Sequence, residues 1–101
     1  MKNPFVLINI FTVTPDDQRR LIDLLTKATG ETIKHMDGFI TSTLHRSIDG
    51  TKVTMYAQWE SREKYEAMRR NATASPYLEE ALSFAKFEMG AYEVVEIFKK
   101  A

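Results

Sequence analysis

From Phe5 to Val13 nearly every position is apolar, and β-branched and aromatic residues fall on both phases of a two-residue beat. Such a run predicts a strand covered on both faces. Thr14 then offers an N-cap, Pro15 a first helical position, and Asp16 and Asp17 carboxylates for the positive end of a helix dipole. Leu21, Leu24, Leu25 and Ala28 follow at helical spacing. Ile33 and Met36 carry that stripe to Gly38, a natural terminator, with Gly30 a place for a bend. "FITSTLHRS" reads as a second strand, Asp49-Gly50 as a hairpin turn, and "KVTMYAQW" as the returning third strand. Ser61 caps a helix through "REKYEAMRRN", and Ser75-Pro76 opens another through "YLEEALSFAK". Gly90 breaks that helix, and "AYEVVEIF" alternates as a fourth strand.

The order β-α-β-β-α-β predicts an α+β, ferredoxin-like plait: helices on one face of a four-stranded antiparallel sheet. Its other face has no helix to cover it. Strand one is apolar on both phases, Phe5-Leu7-Phe11-Val13 and Val6-Ile8-Ile10, so a lone copy would expose a large greasy patch. A second copy laid face to face would hide it, giving a homodimeric α/β barrel.

Composition narrows the function. The 101 residues suit one domain, 1–101, with 44% hydrophobic and 28% charged residues. Fourteen basic residues balance fourteen acidic ones, and basic residues never run longer than a pair (Arg19-Arg20, Arg69-Arg70, Lys99-Lys100), so no stripe for nucleic acid is expected. With no cysteine there is no disulfide framework, thiolate nucleophile or iron–sulfur site. Two histidines without paired ligand spacing do not predict a bound metal. No phosphate loop, nucleophile elbow or nucleotide fingerprint is present. The amino end "MKNPFVLINIF" has a lysine ahead of its apolar stretch. Asn9 interrupts that stretch and no small-residue cleavage pattern follows, so no signal peptide is expected. No segment approaches a membrane span. A cytoplasmic location follows as the expectation.

The richest stretch for chemistry is "VTMYAQWESREKY". Strand alternation puts Val53, Met55, Ala57 and Trp59 on one face, with Met55 and Trp59 roughly 13 Å apart at about 3.3 Å per residue. Trp59 is the chain's one tryptophan. Asn9 is the one polar residue in a greasy run, and in a plait strands one and three are neighbours. A buried amide there needs a partner or a ligand. Tyr65, six residues past Trp59, falls on the first turns of the next helix, near the indole if that helix folds back.

"HRSIDGTKVTMYAQWESREKYEAM" resembles the antibiotic biosynthesis monooxygenase family, whose members carry closely similar His-x-Ser-x-Asp-Gly-Thr and Tyr-Ala-Gln-Trp-Glu-Ser stretches. The likeness runs more thinly over the rest of the chain, "HMDGF" included. It implies the dimeric ferredoxin-like barrel and an activity that inserts one oxygen atom from O₂ into a small aromatic or polyketide-type phenol or quinol. Neither metal nor flavin cofactor is used, because the deprotonated substrate itself passes an electron to oxygen. Carried over, Trp59 walls the pocket and donates from its N–H, Tyr65 binds substrate hydroxyls, and His45 serves as a base or hydrogen-bond partner. Three positions depart. Met55 replaces an anion-steadying asparagine, Thr32 a second tryptophan, and Glu79 a late-helix arginine. Methionine cannot donate a hydrogen bond. A related branch binds and degrades haem. Asn9 matches its asparagine, but Met68 and Leu82 stand at its tryptophan and axial histidine, which leaves iron without a ligand. Met68 and Leu82 are therefore expected to line a substrate pocket.

The expectation is a cofactor-independent monooxygenase with Trp59, His45 and Asn9 as catalytic residues. Tyr65, Met55, Met68, Thr32 and Leu82 would hold the substrate. Two rivals stand beside it: a dimeric protein that binds an apolar aromatic ligand without turning it over, and a structural dimer whose cavity is filled by its own side chains.

Overall fold

The computed structural model describes residues 3–101. Met1 and Lys2, part of the amino end weighed above as a signal, lie outside that range. The elements are β1 (Phe5–Thr12), a 3₁₀ turn (Pro15–Asp17), α1 (Gln18–Glu31), a second 3₁₀ turn (Ile33–His35), β2 (Phe39–Arg46), β3 (Lys52–Trp59), α2 (Arg62–Arg69), α3 (Ser75–Leu82) and β4 (Lys86–Tyr92). All the pairings are antiparallel, and the strands lie in the order β2-β3-β1-β4. This is the plait expected from the hydrophobic pattern. Among the described residues no helix is long and apolar enough to cross a membrane.

Local chemistry sets most boundaries. Gly50 turns the β2–β3 hairpin at φ +83°, a region other residues rarely enter. Asp49 braces that turn, accepting from the Thr51 hydroxyl at 2.7 Å, the Ser47 hydroxyl at 2.8 Å and the Thr51 N–H at 3.0 Å. These bonds, those from Thr51 foremost, hold its carboxyl down at about 2. The Ser61 hydroxyl caps α2 by accepting from the Lys64 N–H at 3.2 Å. Thr14 makes no such side-chain cap; the chain enters α1 through the 3₁₀ turn instead.

Two boundaries differ from the expectation. The long helix stops at Glu31, running through Gly30, and the Ile33–Met36 stripe belongs to the 3₁₀ turn and its exit. The fourth strand is Lys86–Tyr92 rather than "AYEVVEIF", so Gly90 lies inside a strand. Register explains this: Phe87 pairs with Phe11 and Met89 with Asn9, and the two phenylalanine rings lie 4.8 Å apart. The alternation after Tyr92 finds no partner strand among the described residues, and Val95 and Phe98 are about as exposed as in an extended peptide (93% and 91%).

The core falls into two clusters between sheet and helices. Phe11, Val13, Leu21, Leu25, Val53 and Ala81 form one, and Leu7, Ala57, Trp59 and Tyr65 the other. Gly38, at φ +88°, lets α2 come down onto the start of β2, because a Cβ there would stand 2.4 Å from Lys64 Cβ. The Gly38 carbonyl accepts from the Glu60 N–H at 2.7 Å, and Lys64 pairs with Asp37 beside it. That close approach fixes the helix carrying Tyr65.

Candidate active site

Between the two core clusters lies a chamber of about 280 Å³. The volume falls just under the ~300–1,000 Å³ usual for small-molecule pockets, enough for a compact ligand. The sheet forms its floor. β1 gives Leu7, Asn9 and Phe11, and β3 gives Met55, Ala57 and Trp59. These six share a face because Asn9 pairs with Met55 and Leu7 with Ala57, both on the same phase of the pleat. The helices form the roof, with Ala28 and Thr29 on α1, Tyr65, Met68 and Arg69 on α2, and Leu78, Glu79 and Leu82 on α3.

Trp59 is 1% exposed. Phe39 meets it edge to face at 5.4 Å and 88°, and Tyr65 at 6.1 Å and 67°. An aromatic side chain that buries ~150–250 Å² contributes about 4–6 kcal/mol at 25 cal/mol per Å², as an upper estimate. Trp59 therefore holds the core together and walls the chamber at once.

The polar groups are few. Asn9 Oδ1 and Thr29 Oγ1 are buried without a hydrogen-bond partner, and both residues line the chamber. An unpaired buried acceptor costs about 1–3 kcal/mol, so its presence calls for a reason. On the α2 side, Arg69 Nη1 donates to Tyr65 Oη at 2.8 Å, and Tyr65 Oη donates in turn to Met89 Sδ at 2.9 Å. Arg69 and Glu79 are the two charged residues in the lining. Among the described residues no group of three or more histidine, cysteine or acidic side chains is placed to hold a metal ion.

Most of the expected site residues meet here: Trp59, Asn9, Tyr65, Met55, Met68 and Leu82 all line the chamber. His45 does not. It pairs with Thr54, on the sheet face away from the helices, and its Nδ1 lies 3.4 Å from the Thr54 carbonyl oxygen. The cause is a bulge in β2: Phe39 pairs with Trp59, but the next aligned pair is Thr41 with Gln58. The phase of the strand flips there, so Phe39, Ser42 and Leu44 face the helices and Thr41, Thr43 and His45 face away. Thr32 also stays outside the lining, because α1 ends one residue before it and the chain leaves in a non-helical conformation (φ −129°, ψ −63°). Glu79 is in the lining, where its carboxylate replaces a cation. Thr29 and Arg69 were missed. Each lies four residues beyond an inward-facing neighbour, Leu25 and Tyr65, and that spacing was the available signal.

Fold and site together define a ferredoxin-like α+β protein with a ligand-sized, aromatic-walled chamber between sheet and helices. The family model for antibiotic biosynthesis monooxygenases matches residues 4–80, and the chain belongs to that family. Tetracenomycin-F1 monooxygenase of Streptomyces glaucescens is 39% identical over 82 residues, covering 81% of this chain and 73% of that protein. SnoaB, a cofactor-independent oxygenase from Streptomyces nogalater, superposes with a TM-score of 0.78 over 98% of this chain and 100% of its own, at 15% identity. A Pseudomonas aeruginosa protein, PA3566, reaches 0.80 over 95% of this chain and 98% of its own, at 16% identity. At such identities these two structures speak for the fold.

Proposed function

We propose that this protein is a cofactor-independent monooxygenase that oxidises a small aromatic or polyketide-type phenol or quinol with O₂. One observation carries the reading: a half-open, largely apolar chamber, walled by Trp59 and Tyr65, holds a buried amide oxygen on Asn9 that has no partner of its own. A hydroxylated aromatic would fill the space and satisfy the amide. The names of the Streptomyces glaucescens and Streptomyces nogalater relatives support the reaction class.

The chemistry asks little of the protein beyond position and environment. For an anthrone-type substrate, a ring CH₂ becomes a carbonyl. One atom of O₂ enters the product, and the other leaves as water with the two hydrogens the carbon gives up. The substrate supplies all four electrons, so no external reductant is consumed. Removal of one proton gives an electron-rich anion that transfers an electron to O₂. The two radicals combine to a peroxide, which collapses to the carbonyl and water. Trp59, Tyr65 and Phe39 hold the ring system and keep water from the peroxide, and Asn9 Oδ1 fixes its orientation by accepting from a hydroxyl.

Oxygen uptake over a panel of anthrones and quinols tests this. Wild type should consume oxygen well above background, and Trp59→Phe should lose most of that rate. Equal background rates for both would end the catalytic reading. Met55, paired directly with Asn9, favours a second reading, because its thioether offers an anion no hydrogen bond. Ligand quenching of Trp59 fluorescence without oxygen uptake would identify a binding protein instead.

The same reading makes the protein a homodimer through the open sheet face. Ile8, Ile10, Tyr56 and Tyr92 stand on the phase of the pleat that points away from the helices. Val95, Ile97 and Phe98 follow, exposed, and pair with no strand among the described residues.

A further inference from the structure

Arg69 stands at the edge of the chamber, exposed to solvent on the α2 side. No carboxylate among the described residues lies within ion-pair distance of it, although Glu79 also contributes to the lining from α3. Its partners are Tyr65 Oη at 2.8 Å and Met89 Sδ at 3.3 Å. A guanidinium has five N–H donors, so most remain to be offered. Tyr65 spends its oxygen lone pair on Arg69, which leaves its own proton as the group to give. That proton is parked on the Met89 thioether, a weak acceptor that an anionic oxygen would displace.

We infer that Arg69 and Tyr65 form an oxyanion-binding subsite, and that with Asn9 they select a ligand carrying an ionised oxygen at one end and a hydroxyl donor at the other. The register sets the span. Asn9 and Met89 are directly paired across β1 and β4, and the Met89 sulfur touches both Tyr65 and Arg69. Directly opposite residues have Cβ atoms about 4.5–5.5 Å apart, and the length of the Met89 side chain is added to that, so the two poles lie more than one ring apart. A rigid hydroxylated bicyclic or tricyclic phenol, ionised at one oxygen, has that shape. Arg69 then carries the anion-stabilising task that Met55 cannot perform. This rests on the chamber being the substrate site, but it does not require turnover.

The test uses 2,6-dihydroxyanthraquinone, a probe already at the quinone level, with its two hydroxyls at opposite ends and free of internal hydrogen bonds, whose phenolate absorbs at longer wavelength than its phenol. Bound to the full-length wild type, the probe should ionise at a pH lower by about 1–3 than in free solution, as expected for an oxygen near an opposite charge. Arg69→Gln should abolish that lowering and weaken binding tenfold or more. Arg69→Lys, which keeps the charge but loses the planar fork, should retain part of both. Glu79→Gln, removing the other chamber-lining charge, should leave the lowering intact or increase it. Thermal melts confirm that each variant is folded, as the exposure of Arg69 suggests. An Arg69→Gln protein that binds and ionises the probe like wild type overturns the inference, and so does a wild type that does not bind the probe. If the probe responds as expected while anthrones consume no oxygen, the monooxygenase reading fails and the subsite stands.

Discussion

Replacing Asn9 with leucine should make the protein more stable and a poorer binder. Asn9 Oδ1 is buried without a partner, among Leu7, Phe11 and Met55. Leaving that oxygen unsatisfied costs about 1–3 kcal/mol, and leucine of similar volume removes the cost while adding apolar surface to an apolar wall. Taking only 1 kcal/mol, a domain of this size should melt about 4–8 °C higher. With ligand present the sign reverses, because the hydroxyl that Asn9 would accept loses its partner on entering the chamber. We expect 2,6-dihydroxyanthraquinone, followed by Trp59 quenching, to bind at least fivefold more weakly, and anthrone oxidation to fall with it. Melts must be compared at one protein concentration, since self-association also raises Tm. A variant that melts lower than wild type while binding the probe equally well would refute the reasoning. It would mean that the amide serves the fold through a partner such as an ordered water, and not the ligand.

Three further outcomes follow from the packing. Gly38→Ala should lower stability by about 1–3 kcal/mol in thermal or urea unfolding, because the residue sits at φ +88° with Lys64 Cβ 2.4 Å from the new methyl position; an unchanged midpoint would show that α2 yields freely. The Asp49 carboxyl, held down at about 2 in the folded chain, lies below the ordinary carboxylate range, so its contribution is present above about pH 4 and is lost as pH falls towards 2. In melts from pH 6 to pH 2, Asp49→Asn should be less stable than wild type at the upper end and converge with it at the lower; a constant gap would place the effect elsewhere. Removing residues 93–101, with Val95, Ile97 and Phe98, should weaken dimerisation measured by sedimentation equilibrium; a wild type that stays monomeric at high concentration would refute the dimer.

What the sequence made legible was set by local rules. Asp49-Gly50 announced the hairpin because only a glycine suits the φ of +83° found there, and Ser61 announced the start of α2 by its capping geometry. Trp59 and Asn9 were visible as exceptions, one bulky and one polar, in strands whose phase could be counted. The misses came where several alternations competed. "KFEM" and "AYEVVEIF" both alternate, and what chose between them was the pairing of Phe87 and Met89 with Phe11 and Asn9, a contact between residues 76 or more positions apart. His45 was expected at the site from the resemblance alone, and the bulge that turns it away from the helices leaves no mark in a run such as "FITSTLH". Arg69 looked like one of several solvated basic residues. Its place beside the chamber depends on α2 lying close enough to the sheet for Tyr65 to reach Met89.

The irregularity at Ile40 also sets how this chain can vary. The hairpin locks residues 41–46 against β3, so deleting Ile40 would leave their orientation alone and join Phe39 directly to Thr41. Ordinary alternation would then keep Phe39 on the helix side opposite Trp59, so the aromatic wall survives and only the local bend of the extra residue is lost. A chain one residue shorter at this spot can therefore keep the same enclosure.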